Sequence, residues 1–280
     1  MTPTTVARGA YGLRLSAPVE DRFLVDVPAD VPEWELEWRT GTYQEGEPER
    51  VSEDEAVVNL QPAGRAHIQR DQRRSTLYLP DEPKTEAWPH PHLSSTAVVA
   101  GRWLGRQSFH AGSFVHEGKA WAILGEREDG KSSALAWLAL HDIPVMADDI
   151  VIIDDGHVLA GPRCLDLRQS AKEHFGAGNY IGKIGTRERW RIALGATPYK
   201  APFAGFIVLG WDAETATTTL SAAQRLPLLL SHRGLHVPEV DEMAWLTFLA
   251  HPMVELRRPQ QWSAMDAAMS ALLSALAPLC

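Results

Sequence analysis

The chain is poor in cysteine, short of positive charge and without a long apolar run. Two cysteines in 280 residues, Cys164 and Cys280, are too few for a disulfide framework and lack metal-ligand spacing. A reducing cytoplasmic compartment suits such a chain. Lys and Arg number 27 against 36 Asp and Glu, a formal net charge of -9. General nucleic-acid binding draws its affinity from cationic side chains meeting phosphates, so a nucleic-acid partner is not expected. No stretch is apolar for long enough to span a bilayer, and the Ala- and Leu-rich tail is broken by Asp266. Residues Met1 to Ala10 have no apolar core of the kind a signal peptide needs, so no membrane partner is expected either.

What is present is an apolar share of 45%, enough for a good core, and one stretch around which the rest is arranged. The apolar run Trp121 to Leu124 meets Gly125; four residues follow, and Gly130-Lys131-Ser132 opens a helix-forming segment. This is GxxxxGKS between a strand and a helix, the context of a phosphate-binding P-loop. A glycine-bounded loop turns backbone N–H groups inward, the helix dipole points its positive end at the same place, and the lysine adds a full charge. Lys131 would reach the β- and γ-phosphates of a nucleotide, with Ser132 completing the coordination of a bridging magnesium ion. The bland alternative, a glycine-rich turn that binds nothing, is disfavoured by the flanking strand and helix.

Pro144 ends the helix expected over Lys131 to His141, Val145-Met146-Ala147 reads as a short buried strand, and Asp148-Asp149 stand at its end. In a strand-helix-strand unit with parallel strands both loops open on one edge of the sheet, so the aspartates should face the phosphate loop. One carboxylate can hold the metal and its neighbour can take a proton from an attacking hydroxyl. A carboxylate pair at a strand end serves as metal ligand or solvated turn at least as readily as base.

His110, Gly125 to Ser132 and Ala147-Asp148-Asp149 together resemble the HPr kinase family, bacterial protein-serine kinases whose P-loop domain is related to phosphoenolpyruvate carboxykinase. Ala10 to Leu15, Phe109-His110-Ala111, Gly161 to Arg168 and Gly205 to Trp211 are similar to the members found in biosynthetic clusters, including kinases of lasso peptides. The resemblance implies ATP and Mg2+ as cofactors, Asp148 as general base and Asp149 as magnesium ligand. Asp166 in Leu165-Asp166-Leu167-Arg168 would add to the metal site, with aspartate where the family has glutamate. His110 would contact substrate or phosphate, or be a satisfied, partly buried histidine.

One departure has physical weight. Where the family has small residues and a further glycine, this loop carries Glu126, Arg127, Glu128 and Asp129 before Gly130-Lys131-Ser132-Ser133. Three carboxylates beside a triphosphate weaken binding by repulsion unless they point outward, and Arg127 offsets part of the charge. Glu128 stands at a family glycine, so a positive φ there would be strained.

Around this unit, residues 1–92 read as a small β-rich domain, with strands at Gly12 to Leu15, Phe23 to Val27, Trp34 to Arg39, Ala56 to Leu60, Ala66 to Gln69 and Thr76 to Leu79. It would serve acceptor recognition, contact within a homo-oligomer, or packing. Asp81 to Pro91 reads as a proline-rich linker, with His90 and His92 solvated. Residues 93–280 form the P-loop domain, beginning with a helix over Ser94 to Leu104 capped by Ser94 or Ser95. Asp154-Asp155-Gly156 is a hairpin turn, so its aspartates are turn residues and not a metal site. Lys172, Lys183, Arg187, Arg189 and Arg191 make a basic cluster; the resemblance implies a mobile loop there, with Gly176, Gly178, Gly182 and Gly185 as flexible points. Arg189 and Arg191 are the candidates to stabilise charge on the transferring phosphoryl group, the alternative being a solvated basic loop. Ala204 to Leu209 is a buried strand, with Thr215 to Leu220 beside it. Helices are expected over Leu226 to Leu230, Val240 to Ala250 and Ser263 to Leu276, broken by Pro238, Pro252 and Pro259.

The expected fold class is therefore α/β, an HPr-kinase-like mixed sheet with flanking helices after a β-rich domain. The expected activity is ATP- and magnesium-dependent transfer of the γ-phosphoryl group to a serine or threonine of a peptide or protein acceptor, including a natural-product precursor. The alternatives are a small-molecule hydroxyl kinase and an inactive nucleotide-binding regulator.

Overall fold

Period-two alternation and frequent turn residues make the N-terminal part of the chain a sheet. The computed structural model describes residues 7–60, 63–184, 186–235 and 242–280. Eight strands come first: β1 (Ala7–Ala10), β2 (Leu13–Ser16), β3 (Val25–Val27), β4 (Glu33–Thr40), β5 (Arg50–Val51), β6 (Glu55–Asn59), β7 (Arg65–Gln69) and β8 (Arg74–Leu79). They form one mixed sheet in the order β3-β1-β2-β4-β8-β7-β6-β5. In β4, Trp34 and Leu36 enter the core, while Glu35 and Glu37 between them accept hydrogen bonds from Arg74 and Thr76 of β8. Alternate residues of a strand face opposite sides, and here one side is solvated.

The segment read as a linker is built into the fold. Thr85–Ala87 and Trp88–His92 make two short turns, the second containing a cis His90-Pro91 bond, and Trp88, Pro89 and His92 are buried. The expectation of solvated histidines is corrected accordingly: the aromatic and proline side chains supply apolar area that closes onto the core. Helix α1 (Leu93–Trp103) follows directly. Its cap position is His92, with neither Ser94 nor Ser95 capping it.

The second sheet has nine strands: β9 (Gln107–Phe109), β10 (Gly112–His116), β11 (Lys119–Leu124), then, after α2 (Lys131–Leu140), β12 (Val145–Ala147), β13 (Val151–Asp154) and β14 (His157–Leu159). The chain next forms β15 (Cys164–Leu167), α3 (Gln169–Phe175), β16 (Asn179–Ile184) and β17 (Arg187–Ala193) before returning to the sheet as β18 (Lys200–Trp211) and β19 (Ala216–Thr219). Helices α4 (Ala222–Ser231) and α5 (Glu242–Ala250), strand β20 (Met253–Arg258) and helix α6 (Met265–Leu276) complete it. The order is β12-β10-β11-β18-β14-β13-β9, with β20 against β18 and β19 beyond it. Asp155 and Gly156 both have positive φ in the β13-β14 hairpin, as a two-residue turn of this kind requires.

Strand β11 divides two cores. Ala120, Ala122 and Leu124 face a cluster that runs on into the N-terminal sheet through Tyr11 and Leu13; Trp121 and Ile123 face a second cluster made by α2, α3 and α6. The boundary at residues 92 and 93 thus separates two sheets and not two cores. Among the described residues no helix is long and apolar enough to cross a membrane.

Three expectations change. The basic segment is an ordered hairpin, with β15, β17 and β16 forming a three-stranded sheet. Residues 216–219 pair with β20 and not with β18. Met253–Arg258 is a strand within what read as a helical tail, because β18 offers it a parallel edge to complete. Val240, Pro238 and Gly185 lie outside the described residues.

Candidate active site

Strand β11 ends at Leu124, and the loop from Gly125 to Gly130 carries the chain into α2. Gly130, at φ +84°, occupies the cap position of that helix. Ala134 to Leu138 are buried, so the helix N-terminus is fixed against the sheet. Strand β10 lies between β11 and β12 and is antiparallel to both, so those two run in the same direction although they do not touch. The phosphate-type loop and Asp148-Asp149 consequently emerge on one edge.

The carboxylates of the loop take different directions. Glu126 and Glu128 are exposed. Glu128 accepts from Arg168 at 2.9 Å and lies 3.8 Å from Arg187, and those arginines hold its carboxyl below the usual range. Its φ is +84°, the left-handed conformation that a glycine would adopt without strain. Glu126 reaches towards His232, at 3.8 Å. Asp129 instead folds inward, and its carboxylate accepts the Glu126 N–H at 2.6 Å. Lys131 donates to the carbonyls of Gly125 and, at 3.3 Å, Glu126. Burial lowers its pKa, against the pull of Asp149, Asp148, Asp129 and Glu126.

Across the edge, the Ser132 hydroxyl is 3.4 Å from Asp148. Asp149 has φ +73° and lies 3.4 Å from His110 and 4.0 Å from His90. Ser132 is thus set against the first aspartate, and two histidines against the second. Burial pushes the Asp148 carboxyl up to about 6, with His90 opposing the shift and Asp149 adding to it. Burial lowers the His110 pKa despite the nearby Asp149.

Asp166 and Arg191 form one unit. They face each other across β15 and β17, with Nε and Nη2 of Arg191 donating to the two carboxylate oxygens at 2.7 and 2.8 Å. The side chains are 1% and 3% exposed. Arg191 also donates to the carbonyls of Glu86 and His90. Both carboxylate oxygens of Asp166 and two nitrogens of the Arg191 guanidinium are therefore already engaged with each other. Asp166 and Arg191, expected to act separately, are paired with each other, and Arg191 ties the pair to the His90 turn. Arg189, two residues back on the same face of β17, lines the cavity and has no ion pair among the described residues.

A cavity of about 950 Å³ joins these parts. Its walls include Lys131, Ser132, Ser133, Arg127, the aspartate pair and His110, with Arg187 and Arg189 from the hairpin and Asn59 and Leu60 from the N-terminal sheet. It is also lined by His90 and Trp211, which had no place in the site as read from the sequence, and by Arg258 and Trp262, which that reading did not mark at all. His90 was legible only as part of a His-Pro-His run, and Arg258 ends a strand with no local signal.

The donor set fits a magnesium nucleotide. Gly130 leaves room where a Cβ would come within 2.6 Å of Arg258, and Lys131 and Ser132 stand at a helix N-terminus. Among the described residues no three His, Cys, Asp or Glu side chains converge to hold a metal by themselves. Magnesium that keeps water and phosphate ligands needs only one or two carboxylates from the protein.

No family model and no curated protein sequence matches the chain. Among solved structures, the HPr(Ser) kinase/phosphatase from Coxiella burnetii is similar over 61% of this chain and 98% of its own, at 14% identity and a TM-score of 0.31. A likeness at that level carries no argument about fold or chemistry, and what the site can do follows from its own residues.

Proposed function

We propose that this chain transfers the γ-phosphoryl group of ATP, bound with magnesium, to a hydroxyl group, that of a serine or threonine in a peptide or protein. The observation that carries the proposal is the meeting of Lys131, Ser132 and Asp148 in one cavity, with the serine hydroxyl 3.4 Å from the carboxylate. When bound, the magnesium nucleotide supplies the transferable group. Lys131, now on the Gly125 and Glu126 carbonyls, would supply its charge to the phosphates, and Ser132 and Asp149 would hold the ion. Asp148 accepts the proton of the attacking hydroxyl, a task for which a carboxyl raised to about 6 is better suited than an ordinary one. Arg189, in the cavity wall, would offset negative charge on the transferring group.

The acceptor class rests on the shape of the rim. Asn59 and Leu60 of the N-terminal sheet and Arg187 and Arg189 of the β16-β17 hairpin line the same cavity, and the acceptor is placed between them. A natural-product precursor peptide is the favoured acceptor, from the resemblance in sequence. Incubation with ATP, magnesium and candidate precursor peptides should yield a phosphorylated serine or threonine by mass spectrometry.

One observation favours a second reading. Asp129 occupies a loop N–H and Lys131 sits on loop carbonyls, an arrangement suited to a nucleotide-binding regulator that does not turn over. Nucleotide binding without transfer to any peptide, protein or small hydroxyl compound would select it.

A further inference from the structure

Strands β18 and β20 run parallel to β11, so their C-terminal ends reach the edge that carries the phosphate loop, on the side away from Asp148. Each ends in a residue that lines the cavity, Trp211 and Arg258. Arg258 is 4% exposed. Its guanidinium stands 4.1 Å over the Trp211 ring and donates through Nη2 to the Asp129 carbonyl at 3.2 Å, while its buried Nε has no partner. Among the described residues no carboxylate is paired with it. Burial presses its pKa down to about 10, with Asp129 pulling the other way. A buried cation with no counter-ion is costly, and its position against Gly130 suits an anion held at the loop.

Four residues further on stands Trp262, 37% exposed in the same cavity. The His174 ring stacks on it at 4.4 Å and 11°, and Phe175 meets it edge-on at 5.7 Å. An indole held in place by its neighbours, yet open to a cavity lined by Lys131 and Arg258, is a platform for a flat ring.

We infer that Arg258 and Trp262 form the subsite for the nucleoside end of the donor, Arg258 binding a phosphate oxygen beside the loop and Trp262 stacking on the base. This rests on the nucleotide reading above. Arg258 also adds to the positive charge beside the acidic loop.

Calorimetric titration of the full chain with ATP and with inorganic tripolyphosphate, each with magnesium, tests this. Trp262→Ala should weaken ATP about tenfold and leave tripolyphosphate unchanged, because only ATP has a base to stack. Arg258→Lys, which keeps the charge and loses the fork, should weaken both ligands alike. Thermal melts confirm that each variant is folded; should Arg258→Lys fail that check, the Trp262 arm decides alone. Trp262→Ala binding ATP as the wild type does, or losing both ligands equally, overturns the subsite and leaves the nucleotide reading intact. A wild-type chain that binds neither ligand removes both.

Discussion

The hydroxyl of Ser132 and the carboxylate of Asp148 lie 3.4 Å apart, across a gap that the sequence spans with a helix and a strand. In the proposed reaction they serve different partners, the hydroxyl an ion and the carboxylate a proton. Asp148→Asn keeps the shape and removes the base. Transfer to the acceptor peptide should fall about a hundredfold or more, with the affinity for magnesium ATP retained. Initial rates beside equilibrium titration separate the two effects; unchanged transfer removes Asp148 from the chemistry.

Asp129 holds the Glu126 N–H, a group that a phosphate-binding loop would offer to its ligand. Asp129→Asn removes a full negative charge from that position. Affinity for tripolyphosphate should rise several-fold at low salt, and the gain should shrink as ionic strength increases. Titrations at two salt concentrations are sufficient, and a salt-independent loss of affinity would contradict this account.

The Asp166-Arg191 pair is buried and bidentate, so removing one partner strands the other. Asp166→Asn or Arg191→Gln should each destabilise the fold by about 3–5 kcal/mol. The double variant should lose less than the sum, since it leaves no unpaired charge. Denaturant unfolding measures all three. Because Arg191 also holds the Glu86 and His90 carbonyls, amide exchange should quicken around residues 86–92.

His92 has a pKa lowered to about 4 by burial, with His90 adding to the effect, against an ordinary value near 6.5. Between those values the unfolded chain binds a proton that the folded chain does not. The His92 contribution to stability should therefore rise by at most about 3 kcal/mol between about pH 4 and about 6.5, while Asp148, raised to about 6, contributes with the opposite sign over much of the same range. His92→Gln should remove the rising component, so that the stability difference between wild type and variant changes across this range in melts taken at successive pH values. An unaltered slope would assign the dependence elsewhere.

Much was legible in the sequence where a local rule acts. Gly130 marks the entry to α2 and Pro144 follows its end; the observed helix is Lys131–Leu140. Trp34-Glu35-Leu36 alternates as a half-buried strand must, and Asp155-Gly156 turns a hairpin. The mixed α/β architecture follows from such signals, each set by the dihedral freedom or the periodicity of a few neighbouring residues.

Tertiary structure alone decided which distant residues meet. Asp166 and Arg191 read as two independent candidates until the register of β15 on β17 set them opposite each other. His90 looked like solvated linker until its turn closed beside Asp149, and Arg258 came to the loop before α2 only because β20 takes the free edge of β18. The loop carboxylates were visible in the sequence, but their directions were not. Those directions depend on partners far along the chain, Arg168 and Arg187 for Glu128 and His232 for Glu126, and on the backbone fold that turns Asp129 onto its own loop. Sheet register and long-range charge pairing are properties of the assembled chain, and no window of neighbouring residues contains them.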